Sequence, residues 1–539
     1  MAPVELAGVL TRTGAVSQAL RWNPHPAAFI FTAALVNAAL YHGPLYAFAV
    51  ANLDCSSASG ALTLATVIFL MVFVTTLILA LVALIAPRLL KPLCMAAAPC
   101  NAVALYFIRT YGVLLDRTMM GNVFSTDWAE AAGLFHPQLL AYLLVLGAVP
   151  CAVLSRVEIR TIPASRRAAF LFAILLIGVA WTYASAKTWL WIDDNAKRLG
   201  GMTLPWSYVI NASRYQAGQL SASRDQALLP AANFLAHEKT LVVLVIGEAA
   251  RAQDFSLYGY ARPTNPRLTE AGVVALPHAR ACSTYTTASV LCILSHLDPG
   301  GPFTRAYETL PSYLQRHGID VIWRTTNWGE PPLQVQTLQR ADELRQDCQG
   351  EACGYDEVLL HGLERRIRAS TRDRIFVVLH QSGSHGPAYY EKYPKPFEAF
   401  TPVCKSVDPD QCTPAELVNA YDNTILYTDH FLNRTIELLK AFPESATLLM
   451  YVSDHGESLG EHGLYLHGTP YAVAPDVQKD IPFLIWMSGA FRGRKAIAPP
   501  ALAGEASHSQ AEVFHSVMGA FDMRSAIYDP RLDLFGGGQ

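Results

Sequence analysis

The chain has 539 residues, of which 52% are apolar and only 16% are charged. Its length allows more than one domain, and its composition is too apolar for an ordinary soluble enzyme. The net charge of -3, with no basic run interleaved with aromatic residues, argues against a nucleic-acid partner. A membrane portion is therefore expected.

Apolar residues before position 190 predict five membrane spans. Each segment is close to the roughly 20 residues that cross a hydrocarbon core, and none has the short apolar core and small-residue cleavage site of a signal peptide. The segments are residues 27–50, 61–86, 93–113, 137–155 and 168–187. We therefore predict a transmembrane domain over residues 1–187.

Basic residues in the connecting loops predict the orientation of these spans, because Lys and Arg are retained on the cytoplasmic side. They precede the first span, join the second to the third, and join the fourth to the fifth. These residues are Arg12, Arg21, Arg88, Lys91, Arg156, Arg160, Arg166 and Arg167. An odd number of spans then places everything after residue 188 outside, which in a bacterium is the periplasmic side of the inner membrane.

Beyond residue 238, short β-branched runs alternate with polar, helix-like stretches. The runs "TLVVLVIG", "IDVIWR", "RIFVVLH", "ATLLMYVS" and "IPFLIWM" predict buried parallel strands covered by helices on both faces. We predict an α/β sandwich over residues 238–539 and a linker on the membrane surface over residues 188–237. The functional site of such a sheet lies at the carboxyl ends of its strands.

Six of the ten cysteines form three close pairs in this outer portion. The pairs are Cys282 with Cys292, Cys348 with Cys353, and Cys404 with Cys412. Three local disulfides fit an oxidising compartment, and no pair has the C-x-x-C spacing of a zinc site. The cysteines therefore agree with an extracytoplasmic domain.

Polar residues follow three of the predicted strands. Glu248 follows the first run, His385 lies after the third, and Asp454 and His455 follow the fourth. One such residue alone is more often a helix cap, but three strand ends together indicate a site. Carboxylates and imidazoles are ligands that zinc accepts, and three of them leave a position open for a reacting group. His385 and His467 would then support these ligands, contact a substrate phosphate or bind a second ion.

Two carboxylates, Glu457 and Glu461, surround the predicted ligands in "SDHGESLGEHGLYLHG". They either orient the histidines through hydrogen bonds or lie in solvent. His462 is expected on the surface.

The stretch "CSTYTTASVLCILSHL", residues 282–297, begins with hydroxyl residues and then becomes apolar, as a loop entering a helix does. The oxygen of Thr286 or Thr287 would lie near free backbone N–H groups and the positive end of the helix dipole, which favour a bound phosphate. A metal bound to that hydroxyl makes it a nucleophile at neutral pH. The alternative is ordinary N-capping of the helix by Thr284 or Thr286.

The motifs "VIGEAARAQDFSLYGYARPTNPRL", "CSTYTTASVLC", "GSHGPAYYEKYP", "NAYDNTILYTD" and "SDHGESLGEHGLYLHG" together resemble those of membrane phosphoethanolamine transferases. The resemblance is nearest to the enzymes that act on lipid A, including the mobile colistin-resistance enzymes. It implies five transmembrane helices followed by a periplasmic alkaline phosphatase/sulfatase-like α/β sandwich domain. It also implies a zinc cofactor, with one ion or two.

The resemblance implies a role for each matched residue. Thr286 matches the nucleophile, which favours it over Thr287, and its oxygen would complete a zinc site with Glu248, Asp454 and His455. The residues that match contacts to the donor's phosphate or headgroup are His385, His467, Asn122, Thr126 and Glu130.

The implied reaction has two halves. Thr286 attacks the phosphorus of phosphatidylethanolamine, and diacylglycerol leaves. A phosphate of lipid A then takes the phosphoethanolamine from the threonine, which lowers the negative surface charge and gives polymyxin resistance. A sugar hydroxyl of the lipopolysaccharide core or of a periplasmic glucan is the alternative acceptor. The expected partners are the donor, the acceptor and the membrane, with the chain acting as a monomer.

One stretch departs from the family pattern. Members usually carry a lysine after "WR", but "WRTTNWGEPPLQVQ" has none. Asn327 and Trp328 are candidates to occupy that space. The acceptor is therefore less firmly indicated than the type of reaction.

Three rival functions fit less well. A sulfatase needs a formylglycine precursor in a C/S-x-P-x-R context, and the helix start at Thr286 offers neither Pro nor Arg. A lipoteichoic-acid-type polymerase is disfavoured by the three cysteine pairs and by "GSHGPAYY". A catalytically silent membrane scaffold would be expected to lose ligands, yet a candidate is present at every ligand position.

Overall fold

The computed structural model describes residues 22–126, 131, 134–222, 226–297, 307–497 and 506–536. Within these residues the chain divides into two compact units. The first contains the described parts of Met1–Thr110, Leu114–Asp116 and His136–Asn211. The second contains those of Tyr111–Val113, Arg117–Phe135 and Ala212–Gln539.

The described part of the chain before residue 223 is mainly helical. Its helices are α1 (Pro26–Tyr41), α2 (Gly43–Asn52), α3 (Ala58–Ile85), α4 (Leu90–Tyr111), α5 (Arg117–Ser125), α6 (Pro137–Tyr142), α7 (Val149–Ser155), α8 (Ala164–Ala184), α9 (Trp189–Asp194), α10 (Ala196–Gly201) and α11 (Trp206–Ala222). A π-helical turn, Leu143–Ala148, joins α6 to α7.

Among the residues that the structure describes, four helical segments are long and apolar enough to cross a membrane. They are Ala58–Ile85, Pro87–Tyr111, Pro137–Ser155 and Ala164–Ala184. Large apolar side chains such as Phe172 and Val179 are exposed on them, as expected of surfaces that face lipid.

The predicted first span is a bent pair of helices rather than one straight helix. α1 and α2 meet at 67°, and they make a fifth candidate span if the pair is counted as one. Pro44 is the second residue of α2. Because proline lacks an N–H and clashes with the preceding turn, it prevents α1 from continuing straight into α2.

The second unit contains a seven-stranded sheet. The strands of the unit are β1 (Asn233–Phe234), β2 (Thr240–Gly247), β3 (Val274–Ala275), β4 (Ala279–Arg280), β5 (Asp320–Thr325), β6 (Thr337–Arg340), β7 (Arg374–His380), β8 (Ala446–Ser453), β9 (Ser458–Leu459), β10 (Tyr465–Leu466), β11 (Phe483–Met487), β12 (His508–Ser509) and β13 (Met523–Arg524). The sheet has the order β3-β11-β8-β2-β7-β5-β6, and its five strands from β8 to β6 are parallel.

The prediction that "IPFLIWM" is a parallel strand is wrong, because β11 pairs with β8 in the antiparallel sense. A parallel neighbour needs a crossover connection that returns the chain to the opposite edge of the sheet. Here the N–H of Ser453, at the end of β8, donates to the carbonyl of Pro482 at 3.2 Å. The segment that connects β8 to β11 therefore begins and ends at the same edge of the sheet, and β11 runs antiparallel to β8.

Alternate residues of β2 enter two separate cores. Val242, Leu244 and Ile246 pack on one face of the sheet, whereas Val243 and Val245 pack on the other. The helices of this unit are α12 (Pro266–Glu270), α13 (Thr286–Ile293), α14 (Leu310–Arg316), α15 (Ala341–Gln346), α16 (Leu363–Arg368), α17 (Pro414–Lys440), α18 (Gly489–Lys495) and α19 (Glu512–Ala520). α19 packs into the first core and α17 into the second. The predicted α/β sandwich is confirmed.

All six outer cysteines are in disulfides, with the pairing that their proximity predicted. The bonds are Cys282–Cys292, Cys348–Cys353 and Cys404–Cys412. The first of them spans the amino end of α13, and the second closes a short loop after α15.

Candidate active site

Four parallel strands deliver the predicted site residues to one edge of the sheet. Glu248 directly follows β2, and Asp454 and His455 directly follow β8. Asn327 and His385 lie in the loops after β5 and β7. Because β8, β2, β7 and β5 are neighbours in the sheet, these loops converge at their carboxyl ends, as expected for this class of fold.

Thr286 is the first residue of α13, and Tyr285 is the N-cap residue. The side chain of Tyr285 makes no capping hydrogen bond, and the hydroxyl of Thr284 donates to the carbonyl of Thr469 at 2.6 Å. Tyr285, and neither threonine, thus occupies the N-cap position. The Thr286 hydroxyl lies 3.3 Å from Glu248 Oε2 and 3.4 Å from His455 Nε2.

The spacing of these atoms fits a tetrahedral metal site. His455 Nε2 is 3.2 Å from Asp454 Oδ2 and 3.4 Å from Glu248 Oε1. Ligand atoms about 2.0–2.1 Å from a tetrahedral zinc ion lie about 3.3–3.4 Å from one another. Glu248 Oε1 and Asp454 Oδ2 are buried and accept no hydrogen bond from the described residues. A cation would satisfy both oxygens.

The electrostatics of the site point the same way. Burial raises the pKa of Glu248 to about 7, and the neighbouring charge of Asp454 adds to this rise. Burial also raises the pKa of Asp454 to about 7 and lowers that of His455 to about 4. Two adjacent buried carboxylates are both ionised at neutral pH only when a positive charge compensates them. A neutral imidazole is the form that binds a metal.

A backbone carbonyl fixes the tautomer of His455. Its Nδ1 lies 2.9 Å from the carbonyl oxygen of Gly456, which can only accept a hydrogen bond. The ring proton of the neutral imidazole is therefore on Nδ1, and the lone pair of Nε2 faces the carboxylates. Such a partner for the second ring nitrogen is typical of metal-binding histidines.

His467 lies in the same cluster. Among the described residues, Glu248, His455 and His467 form a buried group whose ligand atoms are within 4.8 Å of one another, and this group could hold a metal ion. The ring of His467 is centred 4.1 Å from that of His455 and 5.2 Å from that of His385. The structure therefore brings all the predicted histidines together.

Glu457 supports His467 rather than lying in solvent. It is fully buried, and its Oε2 lies 2.8 Å from His467 Nδ1. Its Oε1 accepts a hydrogen bond from the Tyr389 hydroxyl at 2.6 Å. Of the two interpretations offered by the sequence, the structure supports the orienting one.

The predicted headgroup contacts are only partly described. Asn122 lies on α5 beside Gly468, since a Cβ built on Gly468 would be 3.4 Å from Asn122 Nδ2. The Thr126 hydroxyl donates to the carbonyl of Asn122 at 2.8 Å. Glu130 lies outside the described residues. Asn122 is thus the predicted headgroup residue that the structure places next to the loop of His467.

Asn327 makes a contact that the sequence did not reveal. Its side-chain amide donates to Glu248 Oε2 at 2.7 Å. The next residues run over the nucleophile candidate, since a Cβ built on Gly329 would be 3.3 Å from the Thr286 methyl group. The stretch that lacks the family lysine therefore touches both Thr286 and Glu248.

Arg251 is a buried residue of the site region that sequence reasoning missed. Its guanidinium contacts Asp254 and lies 2.6 Å from Glu461 Oε1 and 3.4 Å from the carbonyl of Glu457. It thereby ties the loop after β2 to the loop after β8. No spacing in the sequence marked it, because its partners Glu457 and Glu461 are 206 and 210 residues away in the chain.

Comparisons with known proteins agree with this arrangement. A sequence model of the Sulfatase family matches residues 240–523, and the model described as phosphoethanolamine transferase EptA/EptB matches residues 28–220. The first match covers more than half of the chain and includes Glu248, Thr286, Asp454 and His455.

Similar proteins extend over nearly the whole chain. Phosphoethanolamine transferase EptA of Helicobacter pylori is 37% identical over 93% of this chain and 94% of its own length. Phosphatidylethanolamine transferase Mcr-1 of Escherichia coli is 31% identical over 79% of this chain and 82% of its own.

A solved structure gives the same result at the level of the fold. The integral membrane protein lipooligosaccharide phosphoethanolamine transferase A (EptA) from Neisseria meningitidis superposes with a TM-score of 0.86 at 28% identity. The match covers 94% of this chain and 98% of that protein. The chain therefore belongs to the phosphoethanolamine transferase EptA family and is a membrane phosphoethanolamine transferase with a sulfatase-like catalytic domain.

Proposed function

We propose that this enzyme transfers phosphoethanolamine from phosphatidylethanolamine to a phosphate of lipid A through a covalent intermediate on Thr286. The observation that carries the proposal is the buried Thr286 hydroxyl, 3.3 Å from Glu248 and 3.4 Å from His455 at the strand ends. The relatives named EptA and the Mcr-1 enzyme, which is named for phosphatidylethanolamine, support the donor and the transferred group.

The residues that would hold zinc are Glu248, Thr286, Asp454 and His455. Their oxygen and nitrogen donors are those that zinc accepts outside the cytosol. When bound, the ion supplies Lewis acidity, which lowers the pKa of the Thr286 hydroxyl and neutralises charge on the phosphoryl group. An alternative ligand set consists of Glu248, His455 and His467, and it shares Glu248 and His455 with the first set. A second ion, if bound, would be held by His385 and His467.

The protein's own residues position the reacting groups. Thr286 is the first residue of α13, and the first backbone N–H groups of a helix attract phosphate oxygens. We assign contacts with the phosphate of the donor to His385 and His467, the latter oriented by Glu457. Asn122, Thr126 and Glu130 would contact the ethanolamine headgroup.

Two displacements at phosphorus complete the proposed reaction. In the first, a bond forms between Thr286 Oγ1 and phosphorus, the bond to the diacylglycerol oxygen breaks, and that oxygen gains the threonine proton. In the second, a phosphate hydroxyl of lipid A forms a bond from its oxygen to the same phosphorus, the bond to Thr286 Oγ1 breaks, and Oγ1 regains the proton that the acceptor hydroxyl loses. Positioning and charge neutralisation carry most of such a transfer.

The donor and acceptor are lipids, which accounts for the membrane portion. The basic loops place the catalytic domain in the periplasm, with residues 1–187 as the proposed transmembrane domain, 188–237 as the linker and 238–539 as the catalytic domain. The product carries an added ammonium group and less net negative charge, so cationic polymyxins would bind it more weakly.

Mass spectrometry of lipid A tests this proposal. Expression of the enzyme in a Gram-negative host should add phosphoethanolamine to lipid A, and the Thr286→Ala variant should add none. An unmodified lipid A accompanied by a modified core sugar or glucan would keep the reaction and replace the acceptor. An unmodified envelope with a well-expressed wild-type enzyme would refute the proposal.

A further inference from the structure

Asp356 is a buried carboxylate close to the site that has no role in the proposed chemistry. It begins the 3₁₀ helix Asp356–Leu360, three residues after the Cys348–Cys353 disulfide. Only 4% of its surface is exposed. No ion pair to Asp356 occurs within the described part of the chain, so its negative charge is balanced by hydrogen-bond donors alone.

Those donors come from two loops. The Thr326 hydroxyl, in the loop after β5, donates to Asp356 Oδ1. In the loop after β7, the N–H groups of Ser382 and Gly383 donate to the two carboxylate oxygens at 3.0 and 2.9 Å. The amide of Gln381 lies 3.4 Å from Oδ2. Asp356 therefore joins the two loops to each other.

Both loops hold Glu248. Thr326 precedes Asn327, whose side-chain amide donates to Glu248 Oε2 at 2.7 Å. On the other side, the N–H of Ser384 donates to the backbone carbonyl of Glu248 at 2.9 Å. Gly383 packs so closely that an added Cβ would lie 2.8 Å from that carbonyl oxygen. One loop thus fixes the side chain of Glu248 and the other its backbone.

A carboxylate is suited to this position because both of its oxygens accept hydrogen bonds, and charge makes such bonds shorter and stronger. An asparagine would have only one accepting oxygen. Its NH₂ group would face either the Gly383 N–H or the Thr326 and Ser382 donors, so the side chain could no longer accept hydrogen bonds from both loops.

We propose that Asp356 is a positioning residue that fixes Glu248 in the orientation that binds the metal. This inference rests on the proposed assignment of Glu248 as a metal ligand. The hydrogen bonds of Asp356 go to Thr326, Gln381, Ser382 and Gly383 and not to Glu248 itself, so it acts through Thr326, Asn327 and the Ser382–Ser384 turn. Outer partners of metal ligands typically change metal affinity by about 10–100-fold when they are removed.

The test is zinc affinity of the full-length protein in detergent, measured by chelator competition after the metal has been stripped. Asp356→Asn should weaken zinc binding about tenfold or more, and transfer activity lost at limiting zinc should return at high zinc. The matched control is Asp320→Asn. Asp320 is a buried carboxylate at the opposite end of β5, paired with Arg366 at 2.8 and 2.9 Å.

The control should lower the unfolding temperature without changing zinc affinity. The inference is overturned if Asp356→Asn binds zinc as tightly as the wild type, or if both variants weaken zinc binding equally. If Asp356→Asn does not fold, Thr326→Val is the deciding variant. It removes the hydroxyl that donates to the Asp356 carboxylate and should weaken zinc binding about threefold or more. Unchanged affinity in Thr326→Val would then overturn it.

These readouts separate the inference from the proposed function. An enzyme that modifies no lipid A, but loses zinc affinity in Asp356→Asn, would refute the acceptor and keep the positioning role. An enzyme that modifies lipid A, with unchanged zinc affinity in Asp356→Asn, would support the acceptor and refute the positioning role.

Discussion

At the scale of single residues, the site is a group of buried polar atoms whose mutual distances suit a cation. Glu248 and Asp454 lie close together, and burial raises the pKa of each to about 7. In the metal-free protein, the ionised carboxylates repel each other and lack solvation. The same pair becomes favourable when a divalent ion lies between them and His455.

Replacing one of the two carboxylates should therefore separate metal binding from stability. We expect Asp454→Asn to lose most of its zinc, while the metal-free variant unfolds at the same or a higher temperature than the metal-free wild type, because one of two repelling buried charges is gone. Metal analysis and thermal unfolding of the purified full-length proteins measure both effects. An unchanged zinc content would show that Asp454 is not a ligand.

Gly383 offers a second residue-level prediction. Its φ of +46° is strained for any other residue, and an added Cβ would press on the Glu248 backbone. Gly383→Ala should thus reduce zinc content and activity as well as stability. The control is Gly318→Ala, at a φ of +83° with no atom within 4 Å of an added Cβ.

Gly318→Ala should lower the free energy of unfolding by only about 1–2 kcal/mol, which is the cost of the left-handed conformation for a residue with a Cβ. It should leave the zinc content unchanged. Equal zinc loss in both variants would mean that the effect comes from stability alone.

At the scale of elements, the site depends on how loops and one helix start are held. The Cys282–Cys292 disulfide encloses the first turns of α13 and the loop that precedes it, so it restrains the backbone around Thr286. Closing a loop of this length lowers the conformational entropy of the unfolded chain and so stabilises the folded state by about 2–3 kcal/mol.

We expect the Cys282→Ser, Cys292→Ser double variant to unfold at a lower temperature and to transfer phosphoethanolamine more slowly, because Thr286 is less firmly placed. The matched control is the Cys404→Ser, Cys412→Ser variant, whose loop is similar in length and does not contain Thr286. Thermal unfolding and the rate of diacylglycerol release check the pair. Faster or unchanged release in the first variant would argue against a role in placing Thr286.

At the scale of the whole molecule, the chain combines candidate membrane spans with a catalytic domain in the periplasm. The loop between α2 and α3 carries Cys55, an exposed free cysteine, and the loop between α7 and α8 carries the exposed Arg160. The distribution of basic residues assigns the first loop to the periplasm and the second to the cytoplasm.

A membrane-impermeant maleimide should therefore label Cys55 in intact spheroplasts, and Cys55→Ser should abolish that labelling. In the Cys55→Ser background, Arg160→Cys should be labelled only after the membrane is permeabilised. Labelling of Arg160→Cys in intact spheroplasts would reverse the orientation.

The sequence was sufficient for five of the seven strands of the sheet, for the strand-end residues and for the cysteine pairs, because periodicity, apolar runs and close spacing are local signals. It did not reveal β3 and β6, which are only two and four residues long. It failed where distant segments decide the outcome. The direction of β11 depends on where Pro482 lies relative to Ser453, and the contacts of Arg251, Asn327 and Asp356 join segments that are far apart in the chain. The bend between α1 and α2 had a local signal in Pro44, but the continuous apolar run concealed it.

In the proposed reaction, Thr286 carries the phosphoethanolamine group between the two lipids. The most direct test mixes the full-length enzyme with phosphatidylethanolamine vesicles and no acceptor, and measures released diacylglycerol together with the mass of the peptide that contains Thr286. We predict a rapid release of at most one diacylglycerol per enzyme molecule, matched by an equal amount of phosphoethanolamine on that peptide. Thr286→Ala should show neither the release nor the modified peptide. Rapid release in Thr286→Ala, or a modified lipid acceptor formed without any modified Thr286 peptide, would contradict the account.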